Sequence, residues 1–225
     1  ASKKTLIKGL LENIRTDRCC LTSSLGQKAL PFAGYEEAIK EVCALIKGNL
    51  SSLIGIGHRI VHGGERFFQS TLINDEVMRS IENLKELAPL HQEAHIAGIK
   101  ALKKEFPGLP HVAVFDTAFH QSMPKKAFLY AIPEKFYEKY HVRRYGFHGT
   151  SHRYVLSQAS KFFGEKQTSQ AFVSAHLGNG CSVCASLDGR SIDTSMGMTP
   201  LEGLVMGQRS GDLDPSIIGY LSEKE

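Results

Sequence analysis

Four residues in separate segments have side chains suited to handling a small anion: Arg59, Asp116, His148 and Arg209. Leu53 to His62 alternates like a strand, and a period of two puts Gly57, Arg59 and Val61 on one face. A guanidinium beside an aliphatic side chain, at a strand end running into Gly63-Gly64, suits a ligand with a carboxylate at one end and a methyl at the other. His111 to Phe115 reads as a buried strand with Asp116 at its C-terminal end, where ligands gather in α/β folds. A carboxylate there can position a magnesium-bound phosphate or a nucleophile. His148 stands between Phe147 and Gly149 in a glycine-bounded loop, Tyr145 to His152, placed for presentation to a cleft. Arg209 belongs to Gly207-Gln208-Arg209-Ser210-Gly211-Asp212, a second glycine- and charge-rich segment. The competing readings are a surface arginine on an edge strand, an aspartate capping a turn and a structural histidine.

Between these segments lies Ala171 to Asp188, two strand-like runs joined by His176-Leu177-Gly178-Asn179-Gly180. Asn-Gly between such runs predicts a hairpin with a primed turn, positive φ at both central residues. The two glycines also leave bare backbone N–H groups, and His176 and Asn179 can hydrogen-bond phosphate oxygens, so the loop is either a plain turn or a phosphate cradle. His91 and His95 are four apart, but in H-Q-E-A-H the glutamate does not directly follow the first histidine, which disfavours a metalloprotease zinc site. Cys181 and Cys184 fall three apart in a strand, on opposite faces, so they are not placed to share a metal or a disulfide.

The elements that must hold these residues follow from periodicity. Lys3 to Ile14 reads as a short helix and Cys19 to Ser23 as a strand. Glu36 to Lys47 is helical, with Ala38, Ile39, Val42, Leu45 and Ile46 in one stripe and Gly48 as cap. Asn74 or Asp75 caps a helix that Pro89 ends, and Gln92 to Phe106 forms the next. Ser151 to Phe163 is a helix closed by Gly164. Asp188-Gly189 is a turn, Ser191 to Thr194 a strand, Pro200 sets a helix start, and Asp214-Pro215 another. The chain has 225 residues, 42% hydrophobic and 22% charged, and a net charge of +4, values of an ordinary globular protein with room for a core. No basic run points to nucleic acid and no apolar run reaches membrane-spanning length. The five cysteines lack the spacing of a disulfide framework and read as reduced, cytoplasmic thiols. The chain begins at Ala1 and stops at Lys224-Glu225, soon after a helix start, which reads as a piece of a longer protein.

His58-Arg59-Ile60-Val61-His62-Gly63-Gly64-Glu65, Val114-Phe115-Asp116-Thr117-Ala118-Phe119-His120, Tyr145-Gly146-Phe147-His148-Gly149-Thr150-Ser151-His152, His176-Leu177-Gly178-Asn179-Gly180 and Asp193-Thr194-Ser195-Met196-Gly197-Met198-Thr199-Pro200-Leu201-Glu202-Gly203 closely resemble the acetate kinase family, in its order. The resemblance implies an α/β, ribonuclease-H-like (actin-like ATPase) fold of two domains with a cleft between them. Residues 1–120 would belong to the N-terminal domain on the acetate side, and 121–225 to the C-terminal domain on the nucleotide-phosphate side. It implies reversible transfer of the ATP γ-phosphoryl group to acetate, with magnesium, in a cytoplasmic homodimer that engages neither nucleic acid nor membrane. Asp116 matches the catalytic aspartate, Arg59 the arginine that holds the substrate carboxylate, and His148 and Arg209 the residues that stabilise the phosphoryl group in flight. His176, Leu177, Gly178, Asn179 and Gly180 match a nucleotide phosphate loop. Val61, Leu90, Phe147 and Pro200 match the methyl pocket, with His91 beside it.

Gln208 stands where the family commonly has Thr, and Gln92 where it commonly has Asn. The family's opening strand with its Gly-Ser-Ser-Ser phosphate loop, its adenosine-binding segments and a magnesium-binding glutamate have no counterpart in these residues. The chain is therefore expected to be incomplete, inactive alone, and to leave the magnesium ligands mainly outside it. The alternatives are a propionate or butyrate kinase of the same family and a non-catalytic module binding a nucleotide or acyl phosphate.

Overall fold

A computed structural model of the protein describes residues 4–49, 53–87, 89–163 and 170–225, apart from the side chains of residues 49, 87 and 89–91. They fall into two compact units, one within 1–58, 72–85 and 89–113, the other within 59–71, 86–88 and 114–225.

In the first unit, β1 (Gly9–Glu12), β2 (Cys20–Ser23) and β3 (Gly26–Ala29) form an antiparallel meander. Where a helix was expected over Lys3 to Ile14, residues 4–14 form none, and Gly9–Glu12 is a strand. Its Leu11, with Ile14, packs against the buried cluster of Cys19, Ala33 and Ala38, and pairing with β2 overrides local propensity. Helix α1 (Tyr35–Asn49) buries Ala38 and Cys43 and runs through Gly48, which is a helical residue and not the cap. Strand β4 (Ile56–Ile60) is shorter than the Leu53 to His62 run, and β5 is Thr71–Leu72. Helix α2 (Asp75–Asn83) is capped as expected: Asn74 Oδ1 accepts from the Val77 N–H at 2.8 Å, with Val77 and Ile81 buried. Pro89 opens α3 (Pro89–Glu105), which therefore starts three residues before Gln92; proline's fixed φ suits a first helical turn. Helices α1 and α3 pack together. Strand β6 (His111–Phe115) has the predicted bounds and lies between β4 and β5 in a second three-stranded sheet.

In the second unit, a 3-10 turn (Ala118–Ser122), α4 (Lys125–Phe128) and α5 (Lys135–Tyr140) lead to α6 (Gly149–Phe163), which begins two residues before the expected Ser151. The Gly164 cap lies outside the described residues. Strands β7 (Ala171–Leu177), β8 (Cys181–Leu187) and β9 (Arg190–Thr194) make an antiparallel meander. The primed turn is at Asp188 and Gly189, with φ of 52° and 76°. Gly178, Asn179 and Gly180 have no positive φ, so the turn type expected for Asn-Gly is not formed there.

The helix expected at Pro200 is absent. Residues 196–204 form successive turns held by distant side chains, and a chain so pinned does not form its own i to i+4 bonds. Arg144 Nη1 donates to the Thr194 and Ser195 carbonyls and Nη2 donates to Glu202, while the Tyr130 hydroxyl donates to the same carboxylate and accepts from the Met198 N–H. Helix α7 (Ser216–Ser222) follows Asp214-Pro215. Among the described residues no helix is long and apolar enough to cross a membrane, and all five cysteines are free thiols.

Candidate active site

Strands β4 and β6 lie side by side, so residues just beyond their ends come together. Asp116 donates its N–H to the Ile60 carbonyl at 2.9 Å. Its carboxylate meets Arg59 in a two-point fork, Nε to Oδ1 at 3.0 Å and Nη2 to Oδ2 at 2.6 Å. The Asp116 side chain is 3% exposed and that of Arg59 is 66% exposed. A guanidinium has five N–H donors, and among the described residues this fork accounts for two of them.

His148 is fixed to the same place by the start of α6. The Gly149 N–H donates to the Asp116 carbonyl at 2.8 Å, and a Cβ at Gly149 would lie 2.3 Å from that oxygen, so only glycine lets the helix start here. His148 takes a left-handed φ of 56°, costly for a non-glycine residue and kept by its neighbours' hydrogen bonds. Its ring stacks on His176 with centroids 4.0 Å apart, and its Nδ1 lies 2.9 Å from Ser182 Oγ. Burial, then the charges of His176, Arg59, His152 and Arg209, lowers its pKa to about 4, so at neutral pH it is uncharged.

The loop after β7 completes the cluster. A Cβ at Gly180 would lie 3.1 Å from Arg209 Nη1 and 3.2 Å from His148 Nε2. Glycine serves here for close approach and not for φ. Arg209 Nη1 donates to the Pro200 carbonyl at 3.0 Å, and the Met206–Arg209 bridge holds the turn that carries it. So the 196–204 segment, pinned by Tyr130, Arg144 and Glu202, is what aims Arg209. Burial, then Glu202, pushes the Tyr130 phenol pKa up, which keeps its proton on the hydroxyl that donates.

Of the apolar candidates, Val61 and Phe147 are buried in one cluster, which also holds Met196 and Met206, with Cys181 against it. Pro200 is half-buried and contributes its carbonyl to Arg209. Leu90 and His91 stand in the first turn of α3, and their side chains lie outside the described residues. His176 Nδ1 pairs with Ser151 Oγ at 2.9 Å, while Leu177 and Asn179 are exposed. Sequence reading missed the partners that hold this cluster: Ser182, Ser174, Tyr130, Arg144 and the two methionines. One signal was available: alternate positions of β8 carry Ser182, Cys184 and Ser186, all buried, and small polar side chains on the inward face of a strand need hydrogen-bonding partners.

A guanidinium–carboxylate fork, a second arginine, a neutral imidazole and a loop bare at Gly180 are chemically suited to an anion, beside a buried apolar cluster. Among the described residues no three His, Cys, Asp or Glu side chains converge as metal ligands. Both Asp116 carboxylate oxygens accept from Arg59.

The fold is shared with two solved structures. A propionate kinase from Francisella tularensis superposes with a TM-score of 0.92 at 47% identity, over 98% of this chain and 58% of that one. The acetate kinase of Porphyromonas gingivalis gives 0.91 at 39% identity, over 97% and 58%. The chain therefore has the α/β, ribonuclease-H-like architecture of actin-like ATPases, in part. Its sequence matches the Acetokinase family across residues 1–225, and the chain belongs to that family. The acetate kinase of Thermosipho africanus is 51% identical over 235 residues, and that of Thermotoga maritima 50% over 237. The chain spans 58% of the length of each.

Proposed function

We propose that this chain carries the acceptor side and one phosphate loop of an acetate kinase, which transfers the ATP γ-phosphoryl group directly to acetate. The observation that carries this reading is the convergence of Arg209 Nη1 and His148 Nε2 on the bare Gly180, beside the Arg59–Asp116 fork. Acetate is already ionised and needs no general base. One carboxylate oxygen attacks phosphorus, the new O–P bond forms as the bond to the ADP oxygen breaks, and ADP leaves with that electron pair.

Such a reaction depends on alignment and neutralisation of the charge spread over three equatorial oxygens. Arg59, oriented by Asp116, would hold the acetate carboxylate through its remaining donors. Arg209, His148 and the backbone at Asn179 and Gly180 would meet the phosphoryl oxygens; an arginine in that role is worth roughly 10³–10⁵ in rate. Magnesium, implied by the family, would arrive with the nucleotide phosphates, where it neutralises charge. Domain halves meeting near residue 120, a homodimer and a cytoplasmic setting belong to the same reading.

Propionate transfer is the second reading. The solved propionate kinase at 47% identity favours it, and an apolar pocket resolves one methylene by only about 1–3 kcal/mol. The test is acetyl phosphate formation from ATP, magnesium and acetate, trapped as the hydroxamate, with propionate run beside it. Turnover by a protein extended to the relatives' length, and none by the 225-residue chain, is the expected result. Turnover by neither sinks the reading, and turnover by the short chain relocates the nucleotide site.

A further inference from the structure

Four imidazoles of the second unit each pair with a serine hydroxyl. His120 Nε2 lies 3.0 Å from the Phe147 carbonyl, which can only accept, so His120 donates from Nε2 and accepts at Nδ1 from Ser191 Oγ at 2.8 Å. His176 pairs with Ser151. The remaining two share one hydroxyl: Ser182 Oγ stands 2.9 Å from His148 Nδ1 and 2.8 Å from His152 Nε2. His152 Nδ1 in turn stands 2.8 Å from Ser174 Oγ. Ser182 is wholly buried and His152 is 1% exposed, so neither serves solvent.

A hydroxyl has one proton. Between two neutral imidazoles it donates to one and accepts from the other. Which way it points decides what His148 offers at Nε2, the nitrogen aimed at the Gly180 cradle. An uncharged imidazole helps an anion only with Nε2–H toward it; a bare Nε2 repels it. Nε2–H on His148 requires a bare Nδ1, which accepts from Ser182. Ser182 must then accept from His152 Nε2–H, and the bare His152 Nδ1 accepts from Ser174. Every link is fixed by the one before it.

We propose that Ser182, held by His152, is a positioning residue that sets the tautomer of His148, so that Nε2–H faces the transferring phosphoryl group. The proposal rests on the acetate kinase reading and adds to it a residue that touches no substrate. Removing Ser182 leaves the His148 ring in place through its stack on His176, yet releases Nδ1 to hold the proton instead.

The test is ¹⁵N NMR of the histidine rings in the extended protein, in the equilibrium mixture of ATP, ADP, acetate and acetyl phosphate that turnover maintains. His148 and His152 should both carry their proton on Nε2, with Nδ1 bare; the reverse order in either ring overturns the proposal. Ser182→Ala should lower kcat by at least about 10-fold, short of the 10²–10³ expected for losing the donor outright. Its acetate KM should stay within about twofold, since only the transition-state contact is weakened. An unchanged kcat also overturns the proposal. If the variant does not fold, the ring spectra of the unsubstituted protein decide. Absence of turnover in the unsubstituted protein sinks the parent reading; turnover with reversed tautomers sinks only the role of Ser182.

Discussion

Arg59 and Arg143 each meet a carboxylate within 3 Å, yet their surroundings differ at every other point. Arg143 is 4% exposed, with its guanidinium 3.6 Å over the Phe128 ring and 2.8 Å from Glu65. Glu65 also accepts from the Tyr137 hydroxyl at 3.0 Å and pairs with His141 at 2.9 Å. Burial alone would raise the Glu65 carboxyl pKa, and Arg143, His141 and Tyr137 more than offset it, leaving it below the ordinary value. In this pair the arginine is enclosed and the carboxylate is saturated. At Arg59–Asp116 the arrangement is inverted: the carboxylate is buried and, among the described residues, meets Arg59 alone, while the arginine stands mostly in solvent with two of its five donors in the fork. A closed pair fixes structure, whereas a pair with an anchored carboxylate and an open arginine is ready for a second anion.

The largest expected effect lies at the open pair. Asp116→Asn removes the charge that orients Arg59, and kcat of the extended protein should fall by roughly 10³-fold or more, as for other residues that align phosphoryl transfer. Its thermal unfolding should stay close to that of the unsubstituted protein; a near-normal kcat would refute the assignment. The closed pair should behave in the opposite way. Glu65→Ala leaves Arg143 buried without its partner, which costs about 3–5 kcal/mol of stability. Denaturant titration reads that loss, while kcat per folded molecule stays within about twofold. If Glu65→Ala instead leaves stability intact and abolishes turnover, the contrast between the pairs is wrong.

Both members of the open pair were legible in the sequence, though not that they would meet each other, and neither member of the closed pair was. Arg59 and Asp116 stand at strand ends, and the alternation of β4 and β6 fixes those ends locally. His148 was marked by its glycine-bounded loop. Glu65 and Arg143 are 78 positions apart, and nothing near either one signals the other. The same holds for Tyr130 and Glu202, 72 apart, whose bond replaces the helix expected at Pro200 with pinned turns. Ser182 went unread for a different reason: Ser182, Cys184 and Ser186 alternate along β8, but alternation alone does not say which face of the strand turns inward. At Gly178-Asn179-Gly180 the sequence marked a loop and left two reasons for glycine open, since close approach and positive φ select the same residue; the structure has close approach at Gly180 and no positive φ.

A buried pair without any carboxylate extends the comparison to the first unit. His58 Nε2 lies 2.9 Å from His111 Nδ1, and burial, then the charge of His111, lowers the His58 pKa to about 4. In the unfolded chain the group titrates at its ordinary 6.5. Above pH 6.5 both states are neutral; as pH falls from 6.5 toward 4 the unfolded chain takes up a proton that the folded one refuses. Stability should therefore fall over that window, by roughly 3 kcal/mol for this group. Urea titrations at pH 7 and pH 4.5 check it, and His58→Gln should flatten the slope. A slope unchanged by that substitution would assign the acid sensitivity to the other buried imidazoles.

The smallest expected effect sharpens the comparison most. Arg59→Ala removes the donors not used by Asp116, and charged hydrogen bonds are each worth about 1.5–3 kcal/mol. The acetate KM should rise by about 10- to 100-fold in the extended protein, with a smaller change in kcat, because a clamp on the carboxylate acts on ground and transition states alike. The substitution also leaves Asp116 buried without its partner, so part of any fall in kcat comes from there. Arg59→Lys separates the two contributions: it keeps a positive charge near Asp116 but loses the fork, so it should restore kcat more than KM. Recovery of KM without kcat would mean that Arg59 serves mainly to hold Asp116. An acetate KM unmoved by either substitution would mean that the open arginine is not where the acceptor binds.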